Sequence, residues 1–140
     1  MLVPSKTADP YRQYRGNQVF TSSPTELVVM LFDGALRFVR QAAAALKEQD
    51  YAGAHLYLGR AQQIVAELMA SLDFKQGELS RNLFKLYEYI HFRLTEADIG
   101  RSGEPLDEVE TMLLSLRESW AEVSRLSGRA GKERNQEAGY

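Results

Sequence analysis

The positions of the four prolines constrain the fold of this 140-residue chain more than any other sequence feature. Pro4 and Pro10 precede any apolar periodicity, while Pro24 and Pro105 stand where a helix would begin. Proline is tolerated in the first turn of a helix but breaks a helix interior, because its ring removes a backbone N–H. Between these points apolar residues recur at the spacing of one helix face. The sequence therefore predicts an all-α fold.

Four amphipathic helices are predicted, at residues 24–47, 51–73, 78–98 and 105–127. The connections between them are short, and short connections place consecutive helices antiparallel. We therefore expect an antiparallel four-helix bundle over residues 17–127. Residues 1–16 form an N-terminal arm and residues 128–140 a flexible, disordered tail, because neither segment carries apolar periodicity.

Local signals mark several helix ends. Ser23 can cap the first helix, and Glu26 lies three residues later, as in a capping box. Asp50 can cap the second helix in the same way. Gly128 is expected to end the fourth helix, because glycine commonly follows the last helical turn.

Composition excludes several classes of protein. The chain has no cysteine, which excludes disulfides, thiolate catalysis and cysteine-based metal sites. The net charge of −2 comes from interleaved acids and bases, so no basic stripe is present to bind nucleic acid. No apolar stretch is long enough to insert into a membrane, and the N-terminus lacks a signal-peptide core. These features indicate a cytoplasmic protein.

Catalytic and metal-binding patterns are also missing. Helix bundles with two metal ions need two Glu-x-x-His sequences and two further glutamates that all face inward. This chain has one such sequence, Glu88 to His91, and it lies away from the predicted core face. We therefore predict no metal site, no cofactor and no enzymatic activity, with His55 and His91 solvated on the helix surface.

Two helices carry more apolar surface than one core stripe requires. On the first helix, Val29, Phe32 and Leu36 continue the apolar arc past the core face. On the third, Phe84 and Tyr89 lie off a stripe that is formed by Leu79, Leu83, Leu86, Tyr87, Ile90 and Leu94. One interpretation is that the first helix lies deeper in the bundle than the others. The other is a groove that receives an amphipathic helix of another protein.

An ordered set of short segments resembles one protein family. The segments are YRQY at 11–14, NQVFTSSPTELVVMLFDGA at 17–35, KEQDY at 47–51, NLF at 82–84, LYEY at 86–89, and LR at 116–117 with Trp120. Together they resemble the flagellar secretion chaperone FliS over about residues 11–124. Each segment alone has low specificity, and the order of the whole set carries the resemblance.

The resemblance implies an antiparallel four-helix bundle that binds the C-terminal segment of new flagellin in the cytoplasm. It further implies that binding prevents premature polymerisation and presents flagellin to the export gate. Tyr11, Tyr14 and Val19 match the family's N-terminal arm, which can fold back over the binding surface. Phe84 and Tyr89 match aromatic residues of its third helix, so a partner-binding role is expected for these five residues.

A second hypothesis explains the same apolar surplus without flagellin. The chain could be a general helical adaptor, or a dimerisation module in which the extra apolar faces pair two copies as a homodimer. Pattern alone predicts a groove and leaves both hypotheses open.

Overall fold

The structure is a computed structural model that describes residues 23–137, and for Gln76 and residues 130–137 it describes the backbone only. Its helices are α1 (Pro24–Lys47), α2 (Tyr51–Ala70), α3 (Glu78–Gly100) and α4 (Glu104–Glu137), with a short 3-10 helix at Phe74–Gln76. Residues 23–137 contain no β-strand. The all-α prediction is confirmed.

Most of the described chain belongs to a compact unit of residues 30–118. In this unit, residue numbers on one helix rise as those on its neighbour fall. The contacts that show this order are Asp33–Arg117 and Arg40–Glu110 for α1 and α4, His55–Asp98 and Gln62–Thr95 for α2 and α3, and Tyr89–Glu108 and Arg93–Glu104 for α3 and α4. Neighbouring helices are therefore antiparallel, as predicted.

The core of this unit is apolar and closely packed. Its largest fully buried side chains are Phe32, Val39, Leu58, Val65, Leu68, Tyr87, Ile90, Leu94, Val109 and Leu113. Gly34 lies where α1 and α2 approach each other, because a Cβ atom there would stand 3.2 Å from Cδ1 of Ile64. Within the described residues every buried polar side-chain atom has a hydrogen-bond partner.

Within the described chain, residues 23–29 and 119–137 belong to a second unit. The Ser23 hydroxyl accepts a hydrogen bond from the backbone N–H of Glu26 at 3.2 Å. This contact confirms Ser23 as the N-cap of α1. In the same unit Glu122 and Arg125 form an ion pair one turn apart.

Two predicted helix ends differ from the structure by three residues or more. α2 ends at Ala70 and not at residue 73, because the Asp73 side chain accepts a hydrogen bond from the N–H of Lys75 at 3.0 Å and starts the 3-10 helix instead. α4 continues through Gly128, so the expected tail of residues 128–140 is helical as far as Glu137. A glycine in a helix interior costs only about 1 kcal/mol relative to alanine. Residues with good helix propensity follow Gly128, so the helix can continue past it.

Candidate partner-binding surface

The predicted site residues lie in very different surroundings. Tyr11, Tyr14 and Val19 lie outside the described residues. Val29 is half-buried in the unit that contains the start of α1. Phe32 and Leu36 on α1 and Phe84 and Tyr89 on α3 lie within residues 30–118. Their exposed fractions show which of them pack in the core and which can contact a partner.

Phe32 and Leu36 belong to the core. Their exposed fractions are 0% and 3%, and the Phe32 ring centroid lies 6.1 Å from that of Tyr87 on α3. A side chain without accessible surface cannot contact a partner while the core stays packed. The expectation that these two residues line a groove is therefore wrong for this structure, and the alternative of a deeply placed α1 is correct for them.

Phe84 is half-buried at the start of α3, where it packs against a residue that the sequence pattern did not single out. Its ring centroid lies 5.7 Å from that of Phe74, and the two rings meet edge to face. Phe74 itself is exposed. Because Phe74 falls in the short 3-10 helix between α2 and α3, it belongs to no helical stripe and carries no periodic signal in the sequence.

Tyr89 lies on the surface between α3 and α4, with 40% of its area exposed. Its hydroxyl donates a hydrogen bond to Oε1 of Glu108, and Arg93 donates to the same oxygen from Nε at 3.0 Å. The bond to Glu108 raises the pKa of the Tyr89 phenol above its ordinary value. The same bond, with help from Arg93, lowers the pKa of Glu108. The polar end of Tyr89 is thus held in place while part of its ring faces solvent.

Arg93 connects this pair to two further carboxylates. Its Nη1 lies 2.9 Å from Glu96 and its Nη2 lies 3.6 Å from Glu104. Hydrogen bonding to Glu96 contributes most to raising the Arg93 pKa. One guanidinium therefore ties the middle of α3 to the first turns of α4, on the flank that carries Tyr89.

The exposed apolar side chains of α3 form two rows. Leu79 and Leu86 are spaced seven residues apart on the flank of Tyr89, and they are 65% and 40% exposed. Phe92 and Ile99, also seven residues apart, are exposed on the flank toward α2. Seven residues are close to two helical turns, so each pair shares a face. The prediction that Leu79 and Leu86 belong to the core is wrong.

The reason for that error lies in the limits of the buried face of α3, both around the helix and along it. The buried large side chains of α3 are Tyr87, Ile90 and Leu94. At about 100° per residue, Leu86 lies about 100° around the helix from Tyr87 and about 40° from Ile90, at the edge of this stripe. Leu79 lies within about 20° of the direction of Ile90, but it belongs to the first turn of α3. An amphipathic pattern identifies the middle of a buried face, whereas its edges depend on how far the neighbouring helices reach.

Two further features of the described residues concern metal binding and membrane crossing. Among the side chains that the structure describes, no three histidine or acidic groups converge in a way that could hold a metal ion. Within residues 23–137, no helix combines the length and apolarity that crossing a membrane requires.

Comparisons with known proteins give consistent matches. Residues 7–127 match the family model described as flagellar protein FliS. The chain is 36% identical over 115 residues to the flagellar secretion chaperone FliS of Bacillus subtilis (strain 168), which covers 82% of this chain and 86% of that protein. It is 35% identical over 108 residues to the FliS of Salmonella typhimurium, covering 76% and 80%.

A solved structure is similar as well. The crystal structure of a flagellar chaperone from bacteria superposes with a TM-score of 0.69 at 19% sequence identity, covering 81% of this chain and 94% of that one. At this identity the match shows a shared fold.

Proposed function

Because the chain belongs to the FliS family of flagellar secretion chaperones, we propose that it binds the C-terminal helical segment of flagellin in the cytoplasm. Binding prevents premature polymerisation of flagellin and assists its export, with presentation to the export gate as the last step. The partner is a protein segment, and the interaction requires no cofactor.

The exposed apolar surface of α3 is the observation that carries this proposal. Of the eleven large apolar side chains that are exposed in the described part of the chain, five belong to α3: Leu79, Leu86, Tyr89, Phe92 and Ile99. Scattered single apolar residues are normal on a protein surface, but a helix that presents them in spaced rows is typical of an interaction surface. This row of residues on the Tyr89 flank, formed by Leu79, Leu86 and Tyr89, is called the α3 row below.

The α3 row suits a helical segment as its partner. Apolar residues seven positions apart form a line along the helix, and an amphipathic partner helix offers a matching line of its own. A subunit that polymerises through amphipathic helices has uncovered apolar faces before assembly, and a chaperone can cover them by burying apolar surface against them. Folding of a disordered segment on binding costs about 2–5 kcal/mol, so the contact must extend along much of the segment.

Binding of a C-terminal flagellin fragment to charged variants tests the proposal. We expect Leu86→Glu to weaken binding at least about tenfold in calorimetry, because a carboxylate would be buried against an apolar face without a partner. Leu56→Glu is the matched control, since Leu56 is similarly exposed but lies on α2. Equal affinities of the wild type and Leu86→Glu, or no complex with wild type, would refute the proposal.

Sedimentation velocity separates this function from dimerisation. If the α3 row pairs two copies of the chain, the free protein sediments as a dimer that Leu86→Glu dissociates while flagellin binding is unchanged. We expect a concentration-independent monomer for both proteins. A dimer of the first kind would favour the adaptor or dimerisation hypothesis instead.

The N-terminal arm adds a further element to the proposal. Tyr11 and Tyr14 cover the binding surface in the free protein and leave it when flagellin binds. Deletion of residues 1–16 should therefore raise the affinity for the flagellin fragment and increase the fluorescence of a dye that binds apolar surface. An unchanged affinity together with unchanged dye fluorescence would contradict this covering role.

A further inference from the structure

A cavity lies at one end of the helices in the unit of residues 30–118, away from the α3 row. It has a volume of about 530 Å³ and forms where the last turn of α1, the first turns of α2 and the end of α3 meet. Among the residues that line it, Leu46 is half-buried and Ala52 and Ile99 are exposed, so these three offer accessible apolar surface and are called its apolar floor. The size falls in the range of small-ligand sites, and these aliphatic residues suit an aliphatic side chain.

Arg101 supplies a positive charge at the rim of the cavity. Its guanidinium carbon stands 4.9 Å from the ring centroid of Tyr51, which also lines the cavity. Among the described residues Arg101 forms no ion pair, so its N–H groups remain available to a ligand. A planar guanidinium that rests on an aromatic ring presents its N–H groups in a fixed fork, which matches the two oxygens of a carboxylate.

Asp98, the acidic residue at the same rim, already has a hydrogen-bond partner. Both carboxylate oxygens of Asp98 lie 2.9 Å from Nδ1 of His55. Both residues also line the cavity. Because the Asp98 carboxylate is hydrogen-bonded to His55, it does not pair with Arg101. Arg101 is therefore the unpaired charge at the rim, and a negatively charged ligand would complement it.

The backbone of Arg101 determines where its side chain starts. Its φ of 49° and ψ of 46° place it in the left-handed region, which disfavours residues with a Cβ atom. Gly100 directly precedes it and could adopt this conformation without strain. The left-handed residue is nevertheless Arg101, and its backbone N–H donates hydrogen bonds to the carbonyl oxygens of Ala97 and Asp98. Helices commonly end in this conformation, and Gln49 adopts it just after α1, so the turn places Arg101 at the end of α3 without by itself marking a site.

We propose that this cavity binds the C-terminal residue of a polypeptide, with its aliphatic side chain against Leu46, Ala52 and Ile99 and its carboxylate on Arg101. A chain terminus carries the side chain and the carboxylate on one Cα atom, so one residue reaches both the apolar floor and the rim. An internal aspartate or glutamate would need a second, neighbouring residue to fill the floor. The inference does not depend on flagellin or on the α3 row.

Titration of the isotope-labelled full chain with short peptides, followed by NMR, tests the proposal. Acetyl-Gly-Gly-Leu with a free carboxylate should shift the amide signals of Ala52 and Arg101 saturably, with an affinity in the millimolar range that suits so small a ligand. The C-terminal amide of the same peptide should bind about tenfold more weakly or worse, because it cannot form the charged fork with Arg101. Acetyl-Gly-Gly-Gly should be similarly weak, because it has no side chain for the floor.

Variants locate the effect. Arg101→Gln should reduce binding of the free peptide to the level of its amide, and Arg101→Gly should do the same while relieving the left-handed strain. Arg81→Gln is the matched control, because Arg81 is an exposed arginine on α3 that does not line the cavity. Equal binding of the acid and the amide would overturn the proposal, as would equal binding of acetyl-Leu-Asp-amide, whose carboxylate is a side chain. Absence of shifts at about 5 mM peptide would also overturn it.

Discussion

Replacement of Phe32 by alanine tests whether this residue packs the core or meets a partner. The ring has no exposed surface and contacts Tyr87 across the helix interface. Truncation of a buried phenylalanine costs about 3–5 kcal/mol, which includes the lost transfer free energy and the cavity that remains. Loss of the aromatic pair, worth about 0.5–1.5 kcal/mol, places the expected cost toward the upper part of that range.

A phenylalanine elsewhere in the chain serves as the matched control. Phe92 is 56% exposed on α3, so Phe92→Ala should change the free energy of unfolding by only about 0.5 kcal/mol. Domains are typically stable by about 5–15 kcal/mol, so Phe32→Ala should still fold but with a much lower urea midpoint.

Equilibrium unfolding in urea, followed by far-UV circular dichroism, measures both variants. The dependence of the unfolding free energy on urea should stay the same, since the surface exposed on unfolding is nearly unchanged. A cost below about 1 kcal/mol for Phe32→Ala, together with loss of flagellin binding, would refute the core assignment.

Three further predictions concern single contacts. Tyr89→Phe should raise the pKa of Glu108 toward its ordinary value, because the hydrogen bond from the Tyr89 hydroxyl contributes most to lowering it. An NMR titration of the carboxyl groups measures this pKa, and an unchanged value would contradict the hydrogen bond. Since the folded-state pKa of Glu108 is lowered, the contact between Tyr89 and Glu108 stabilises the fold at pH values above the ordinary pKa of a glutamate. This stabilisation is lost as the pH falls through the folded-state pKa. Tyr89→Phe should therefore also reduce the pH dependence of the unfolding free energy. Asp50→Ala should destabilise the protein by about 1 kcal/mol, because it removes the acceptor for the N–H of Gly53 at the start of α2; in thermal unfolding Asp50→Asn should retain most of that stability, and equal losses for both variants would exclude capping as the cause. Gly128→Ala should increase helix content and stabilise α4 by about 0.5–1 kcal/mol, since no heavy atom obstructs a Cβ there; no gain in far-UV circular dichroism would indicate that the helix ends at this glycine.

Local signals were sufficient to predict the helices. α1 spans the predicted residues 24–47, because Ser23, Pro24 and Glu26 specify its start through hydrogen bonding and backbone geometry of their own neighbours. Prediction of α4 was less successful at its end, since a glycine such as Gly128 is compatible with both a helix interior and a helix end. Such an ambiguity is decided by the residues around the glycine and not by the glycine itself.

The sequence by itself determined the number and order of the helices and their antiparallel arrangement, because these follow from periodicity and short connections. Only the tertiary structure decided which apolar residues are covered. Phe32 and Leu86 each lie on a broad apolar arc, yet the first is fully buried and the second is 40% exposed. Helical spacing gives the angle of a side chain around its own axis, whereas burial depends on whether another helix reaches that angle. The tertiary structure also brought Arg101 onto Tyr51, two residues fifty positions apart that no sequence pattern connects.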